Sequence, residues 1–323
     1  MIEGMIEAWT RLVAAAPRPA ALGRRWLGPL MCVPALALVT AFLVAPAALT
    51  LHISMTDMSL STLGSVQWVG LENYRRLLSR PELPKIALNT LLFVGVNLVI
   101  FNLFLPLAVA TLTAAWEERL GRLVRPLWLL PRVTPSVVYA LLWVWLTAPA
   151  PYGTLNQLLA PLGVGGGSWL LSYPWPVVIV ADGLVGTSFA TILFSAAIRA
   201  VPRELWLAAA ADGASYWQTF RYVVLPLLRW PIMFVATYQG LSLLASFEFV
   251  LLLTNGGPGL WQTEVWSLYA YHQAFSYYTG GLQMGYGAAI ASLLVGFGAV
   301  VSLVALRLFR FAELTAEPRL RAV

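Results

Sequence analysis

Residues 87 to 115 read ALNTLLFVGVNLVIFNLFLPLAVATLTAA, a run that contains no Asp, Glu, Lys or Arg. A helix needs roughly 20 apolar residues to cross a bilayer, so this stretch can cross with some tilt. Working outward from it, five more apolar runs of similar length cover 28 to 51, 123 to 147, 174 to 198, 226 to 253 and 285 to 309. The whole chain agrees: of 323 residues, 59% are hydrophobic and 11% charged, and the mean hydropathy is +0.76. Soluble domains carry about 25% charged residues. The expected fold class is therefore all-α, a polytopic membrane protein with six transmembrane helices and both termini on one side. The first run is too long for a signal-peptide core and lacks a clean small-residue cleavage site, so it reads as a retained helix.

The distribution of basic residues sets the orientation, because cytoplasmic loops are enriched in Lys and Arg. Sixteen arginines fall on one side of the six runs, at 11, 18, 24, 25, 119, 122, 125, 132, 199, 203, 221, 229, 307, 310, 319 and 321. The other side holds Arg75, Arg76, Arg80 and Lys85, all in the first outer loop. Both termini are accordingly expected in the cytoplasm. The resulting organisation is a cytoplasmic amphipathic segment (1–27), a transmembrane domain (28–311) and a cytoplasmic tail (312–323). In the first segment Ile2, Met5, Ile6, Trp9, Leu12 and Val13 share one helical face opposite Glu3, Glu7 and Arg11, which suits a helix lying in the inner interface or a frayed terminus.

Several function classes drop out. The net charge of +6 comes from arginines spaced between apolar runs, with no aromatic-interleaved basic face, so nucleic-acid binding has no support. Cys32 is the single cysteine, which excludes an intramolecular disulfide and a cysteine-based metal cluster. Neither a Ser-His-Asp set, an HExxH motif nor a carboxylate pair stands at catalytic spacing. A phosphate-cradling P-loop needs a lysine after its glycine turn, and the only lysine, Lys85, lies between Pro84 and Ile86. The Gly165-Gly166-Gly167 run has no following lysine and reads as a turn.

The most informative polar stretch is the inner loop 199–225. Pro202 and Glu204 suit a helix start, and Leu205 to Ala211 has high helix propensity. Asp212-Gly213 then breaks the helix, since Gly takes a left-handed conformation without strain. Ser215 and Gln218 have capping-box spacing, so a second helix starts there. A helix–turn–helix on the inner surface is a docking element.

This stretch resembles the EAA loop of ATP-binding-cassette importer permeases: Glu-Ala-Ala, three residues, Gly, then a hydrophobic stretch ending in Leu-Pro. Ala208, Ala209, Asp212, Gly213, Ala214, Phe220, Leu225 and Pro226 match. Leu207 stands where the pattern has its glutamate, and Glu204, one turn earlier, is the candidate replacement. Other matches narrow the resemblance to the maltose-type sugar permeases: Val69 to Tyr74 with Asn89-Thr90, Leu130-Pro131 with Pro135, Gly153 to Asn156 with Leu162-Gly163, and Leu253 to Pro258 with Thr263-Glu264. Leu184 departs from the tryptophan usual in that group. The resemblance covers about residues 28 to 311.

It implies a permease of the bacterial cytoplasmic (inner) membrane that binds no cofactor itself. ATP and Mg would sit on two partner ATP-binding subunits, and a second permease and an extracytoplasmic sugar-binding protein would complete the complex. The ATPase-coupling residues implied are Glu204, Leu207, Ala208, Ala209, Asp212, Gly213 and Ala214, within a contact segment at 203–215.

For the translocation path the polar residues at membrane depth are informative, because polar groups facing lipid are costly. Gln239, Ser242 and Ser246 share one face of the fifth run, with Tyr238 beside them. Ser188, Thr191 and Ser195 repeat the spacing in the fourth, as do Ser136, Tyr139 and Trp143 in the third. Hydroxyls, amides and aromatic faces suit a sugar or polyol, and the same residues also serve as contacts between membrane helices. Asp182 and Glu248 are the acidic residues deepest in the runs. His272 is expected in an interfacial aromatic belt with Tyr269, Tyr271, Phe275, Tyr277 and Tyr278. The rival readings are an importer permease for a non-sugar solute and, from another class, a secondary transporter or channel. The latter calls for inverted repeats or intramembrane charge pairs, which are not evident.

Overall fold

The computed structural model describes residues 21–115, 126–163, 166–276 and 282–308. Among them the chain is helical, with one isolated antiparallel bridge between Thr56 and Trp68. It divides into two compact units, Met1–His52 and Ile53–Val323. The first expected amphipathic stretch, Ile2 to Val13, and the tail 312–323 lie outside the described residues.

Helix α1 (Pro29–Ser54) is apolar all round, and its most apolar stretch buries nothing within the chain. A helix of that kind is covered by lipid or by another chain. The second unit carries α2 (Leu83–Ala114), α3 (Ser136–Leu146), α4 (Pro174–Arg199), α5 (Arg203–Ala211), α6 (Tyr216–Leu227) and α7 (Arg229–Ala245). After these come α8 (Glu248–Leu253), α9 (Trp266–Phe275) and α10 (Met284–Leu308). Among the described residues four helices, α1, α2, α4 and α10, are long and apolar enough to cross a membrane unaided, and α6 with α7 qualifies as a pair bent by 63°.

Two of the expected runs are interrupted, each for a local reason. In the third, Thr134 is extended (ψ 131°) and Pro135 caps α3, because the proline ring disfavours a helical residue before it. The apolar helix that follows has only 11 residues. In the fifth, α7 stops at Ala245 and Ser246 is extended (ψ 133°) before α8 begins. The carbonyl this releases accepts a hydrogen bond from the Ser267 hydroxyl at 2.8 Å. Broken backbone at membrane depth survives only where such partners or a cavity serve it.

The assembly turns on the middle of α2, where residues Asn97–Phe104 widen into a π-helical stretch. Widening redirects backbone carbonyls, and side chains collect them. Asn102 Nδ2 donates to the Asn97 carbonyl at 2.9 Å, and the Thr187 hydroxyl of α4 donates to the Phe101 carbonyl at 2.6 Å. Asn102 Oδ1 in turn accepts from Gln239 Nε2 of α7, so three helices meet at one buried amide. Gly183 and Gly186 on α4 make room: a Cβ at Gly183 would overlap the Phe101 ring and one at Gly186 the Asn102 amide. Apolar clusters flank this junction. One gathers Phe93, Tyr139, Val178, Phe249 and Leu268, and the other Ala110, Phe194, Ile198, Phe220 and Leu228.

Substituting Gly183→Leu or Gly186→Leu should therefore overpack the junction, a cost of about 1–3 kcal/mol. The thermal midpoint in detergent should fall, whereas Gly296→Ala, where a Cβ meets nothing within 4 Å, should leave it unchanged.

Candidate functional site

The loop at 199–225 forms as its residues dictate. Helix α5 ends in a Schellman motif: the Gly213 N–H donates to the Ala210 carbonyl at 3.1 Å and the Ala214 N–H to the Ala209 carbonyl at 3.0 Å, with Gly213 at φ +75°. Ser215 caps α6 through a complete capping box, its hydroxyl accepting from Gln218 N and its own N–H donating to Gln218 Oε1 at 2.7 Å. Pro202 is the cap of α5, one position outside the first turn where the sequence suggested it. The loop is moored to the helices above it. Trp206 stacks on Tyr216 at 6.1 Å, and the Tyr216 hydroxyl donates to the Thr111 carbonyl at 2.8 Å.

Mooring fixes which face is left over. Ala209 is buried and Ala214 half-buried, while Glu204, Leu207, Ala208, Asp212 and Gly213 are exposed. Glu204, Leu207, Ala208 and Ala211 recur at helical spacing, giving a shallow face of small side chains with one carboxylate and one leucine. Leu207 is 58% exposed, an apolar group left more than half uncovered by its own chain.

The second site lies where the two interrupted runs meet. The Ser136 hydroxyl, at the start of α3, donates to Glu248 Oε1 at the start of α8, so the two breaks face each other. Ser246, in the break itself, reaches Asp182 Oδ1 of α4 at 3.5 Å. The Tyr139 hydroxyl donates to the Ala181 carbonyl at 3.1 Å, and its ring meets Trp143 and Phe249 edge-on at 6.2 and 5.5 Å. Phe247 stacks on Tyr271 at 5.2 Å. Carboxylates, hydroxyls and aromatic faces are thus gathered around two non-helical turns. Such a set accepts hydrogen bonds from a polyhydroxylated molecule and offers its rings to C–H faces.

Of the path residues read from sequence, Ser136, Tyr139, Trp143 and Ser246 come together here. Tyr238, Gln239 and Ser242 do not. Gln239 is buried against Asn102, Ser242 is exposed, and Tyr238 lies between Phe189 at 5.3 Å and Phe234 at 5.9 Å. Asp182 and Glu248 join the cluster although no path role had been assigned to them. Their depth in apolar runs was the available signal, and nothing in sequence spacing joins them to Ser246 and Ser136.

The segment after α8 is pinned by a buried polar chain. His272 Nδ1 lies 2.8 Å from Glu264 Oε1 and Nε2 lies 3.0 Å from Asn255 Oδ1. His272 is therefore a structural tie, with Tyr277 and Tyr278 of the expected belt outside the described residues. Burial pushes the Glu264 carboxyl above the usual carboxylate range, and the hydrogen bond from His272 opposes that rise. Asn89 of α2 donates to the Trp261 and Glu264 carbonyls at 2.9 and 3.0 Å.

A membrane chain whose described residues are helical, with a moored and exposed helix–turn–helix, has the build of a transporter's membrane component. The family model for binding-protein-dependent transport system inner membrane components matches residues 103–312, and the chain belongs to that family. It is a multi-pass component of the inner membrane, in a family of permease subunits that are not themselves the ATPases. Among its relatives, the trehalose/maltose transport system permease protein of Thermococcus litoralis is 32% identical over 88% of this chain and 94% of that one. The sulfoquinovosyl glycerol transport system permease protein of Agrobacterium fabrum is 28% identical over 95% and 96%. In fold, the chain is similar to one in a bacterial alginate ABC transporter, with TM-score 0.76, 22% identity, and 90% and 96% covered.

Replacing His272 by Ala leaves Glu264 buried without its partner, and breaking a buried pair costs about 3–5 kcal/mol. His272→Ala should make the 254–265 loop sensitive to added protease, and His272→Gln, which keeps a donor, should be cleaved more slowly.

Proposed function

We propose that this chain is a permease subunit of an ATP-driven importer that carries a sugar or related polyol inward, with its substrate contacts at the paired helix breaks. The observation that carries the substrate reading is the meeting of Ser136, Tyr139, Asp182, Ser246 and Glu248, with Trp143 and Tyr271 beside them. The carbohydrates named for the relatives, trehalose/maltose and sulfoquinovosyl glycerol, support a sugar-type substrate.

In this reading the chain crosses the membrane six times. The interrupted third run and the bent α6–α7 pair each count as one crossing, and the sixteen-to-four arginine distribution favours both termini inside. Residues 1–27 and 312–323 are the inner flanks of a permease domain spanning 28–311. Two ATP-binding subunits hold ATP and Mg and dock on the exposed face of α5 and its turn. A second permease completes the cavity, and an extracytoplasmic sugar-binding protein delivers the substrate. Closure of the ATPase pair pushes on residues 203–215, and because Trp206 and Tyr216 tie that loop to α2, the push reaches the spans as a rigid body. Rocking of the two permeases then switches the cavity between inward and outward access, a two-state equilibrium biased by nucleotide and by loaded binding protein. Leu207, where the family pattern has glutamate, calls for an apolar spot in the facing ATPase cleft, with Glu204 making the charged contact.

Two sets of variants test the two halves separately. At Gly213 an added Cβ meets nothing within 4 Å, so Gly213→Val strains the left-handed turn by about 1–2 kcal/mol without a clash. Insertion should be normal and uptake lost; normal uptake would sink the coupling assignment. Glu248→Leu removes an acceptor whose hydrogen bonds are worth about 1.5–3 kcal/mol, so uptake at saturating binding protein should fall roughly tenfold. Ser242→Ala should be neutral. The opposite pattern would move the path to the other face of α7.

A further inference from the structure

A cavity of about 550 Å³ opens between α4, α7 and α10, away from the helix breaks. Its walls include Leu193, Ala197, Trp230, Phe234, Leu241 and Leu306, and they are almost wholly apolar. Three arginines mark one end of it. Arg199 follows Ala197 by two residues in the last turn of α4, Arg229 precedes Trp230 at the start of α7, and Arg307 follows Leu306 in the last turn of α10. Because Ala197, Trp230 and Leu306 all line one cavity, these three helix ends converge. Arg229 also lies over the Trp230 ring at 5.5 Å from its centroid.

All three guanidinium groups are exposed, and among the described residues none of them forms an ion pair. Arg199 and Arg307 complement the negative ends of their helices, but Arg229 stands at a positive end, where the dipole disfavours a cation. An anion at that level relieves the conflict. Basic pockets between membrane helices at the cytoplasmic face hold anionic lipid headgroups, each cation near the surface contributing to the attraction.

We infer that this cavity is a binding site for an anionic phospholipid, one acyl chain lying along α7 between α4 and α10 and the headgroup phosphate held by Arg199, Arg229 and Arg307. It rests on the orientation proposed above, which puts these helix ends at the inner leaflet, and not on the identity of the substrate. A protein segment in the same place would need an apolar body narrow enough for the cavity together with carboxylates at the arginine level.

The assembled transporter, in native membranes containing phosphatidylglycerol and phosphatidylethanolamine, provides the test. p-Benzoylphenylalanine replaces Phe234, ultraviolet light captures whatever lies in the cavity, and mass spectrometry identifies the adduct. Phosphatidylglycerol adducts should be enriched several-fold over the composition of the bulk lipid extract. The enrichment should vanish in an Arg229→Gln/Arg307→Gln background and survive in Arg229→Lys/Arg307→Lys. Adducts to a polypeptide, lipid adducts in bulk proportion, or an enrichment unmoved by the glutamines would each overturn the assignment. If the photoreactive chain fails to insert, native mass spectrometry of the unsubstituted transporter and its double-glutamine form, released from nanodiscs of phosphatidylcholine and phosphatidylglycerol, asks the same question. Retained phosphatidylglycerol that disappears with the glutamines supports the site, and equal retention overturns it. Enrichment in an unsubstituted transporter that takes up no sugar would count against the sugar reading alone.

Discussion

The amide of Asn102 holds the membrane domain together. It lies in a stretch of α2 wound wider than an α-helix, it takes a hydrogen bond from Gln239 on α7, and it sits over Gly186 on α4. In a hydrocarbon environment an apolar side chain gains nothing by leaving lipid for another helix, so close packing and polar ties must supply the association. Here both coincide. The glycines bring α4 within reach of the widened turn, and the widened turn presents the carbonyls and amides that Thr187 and Gln239 need.

That junction also explains why two other helices are free to break. With α2, α4 and α7 fixed, α3 and α8 can begin within the membrane domain and join their first residues directly, Ser136 to Glu248. Their exposed backbone is served locally, as the Ser267 hydroxyl serves the Ser246 carbonyl. The loop joining α5 and α6 has a different character. Its turn is locked by a Schellman motif and a capping box, and its aromatic moorings tie it to α2.

Much of this was legible beforehand because it is local. The α5–turn–α6 element follows from Ala-rich propensity, a glycine and a capping pair, all within 25 positions of one another, and the structure reproduces it to within one residue at Pro202. The long uncharged runs likewise announce membrane helices. What the runs concealed was continuity. Pro135 carried a signal that the third would break, whereas Ser246 carried none, because an extended serine is set by what Ser267 and Asp182 offer it.

The sequence by itself determined the solvent, the helical class and the helix–turn–helix at 203–227, since hydropathy, propensity and capping act over a few turns of chain. Only the tertiary structure decided which polar residues meet. Gln239, Ser242 and Ser246 share a helical face on paper, yet one ties α7 to α2, one is exposed, and one joins Asp182. Periodicity reports the direction a side chain leaves its own helix. The partner it finds depends on where another helix bends, and that is fixed by contacts some 60 to 140 residues apart, as between Asp182 and Ser246 or Asn102 and Gln239.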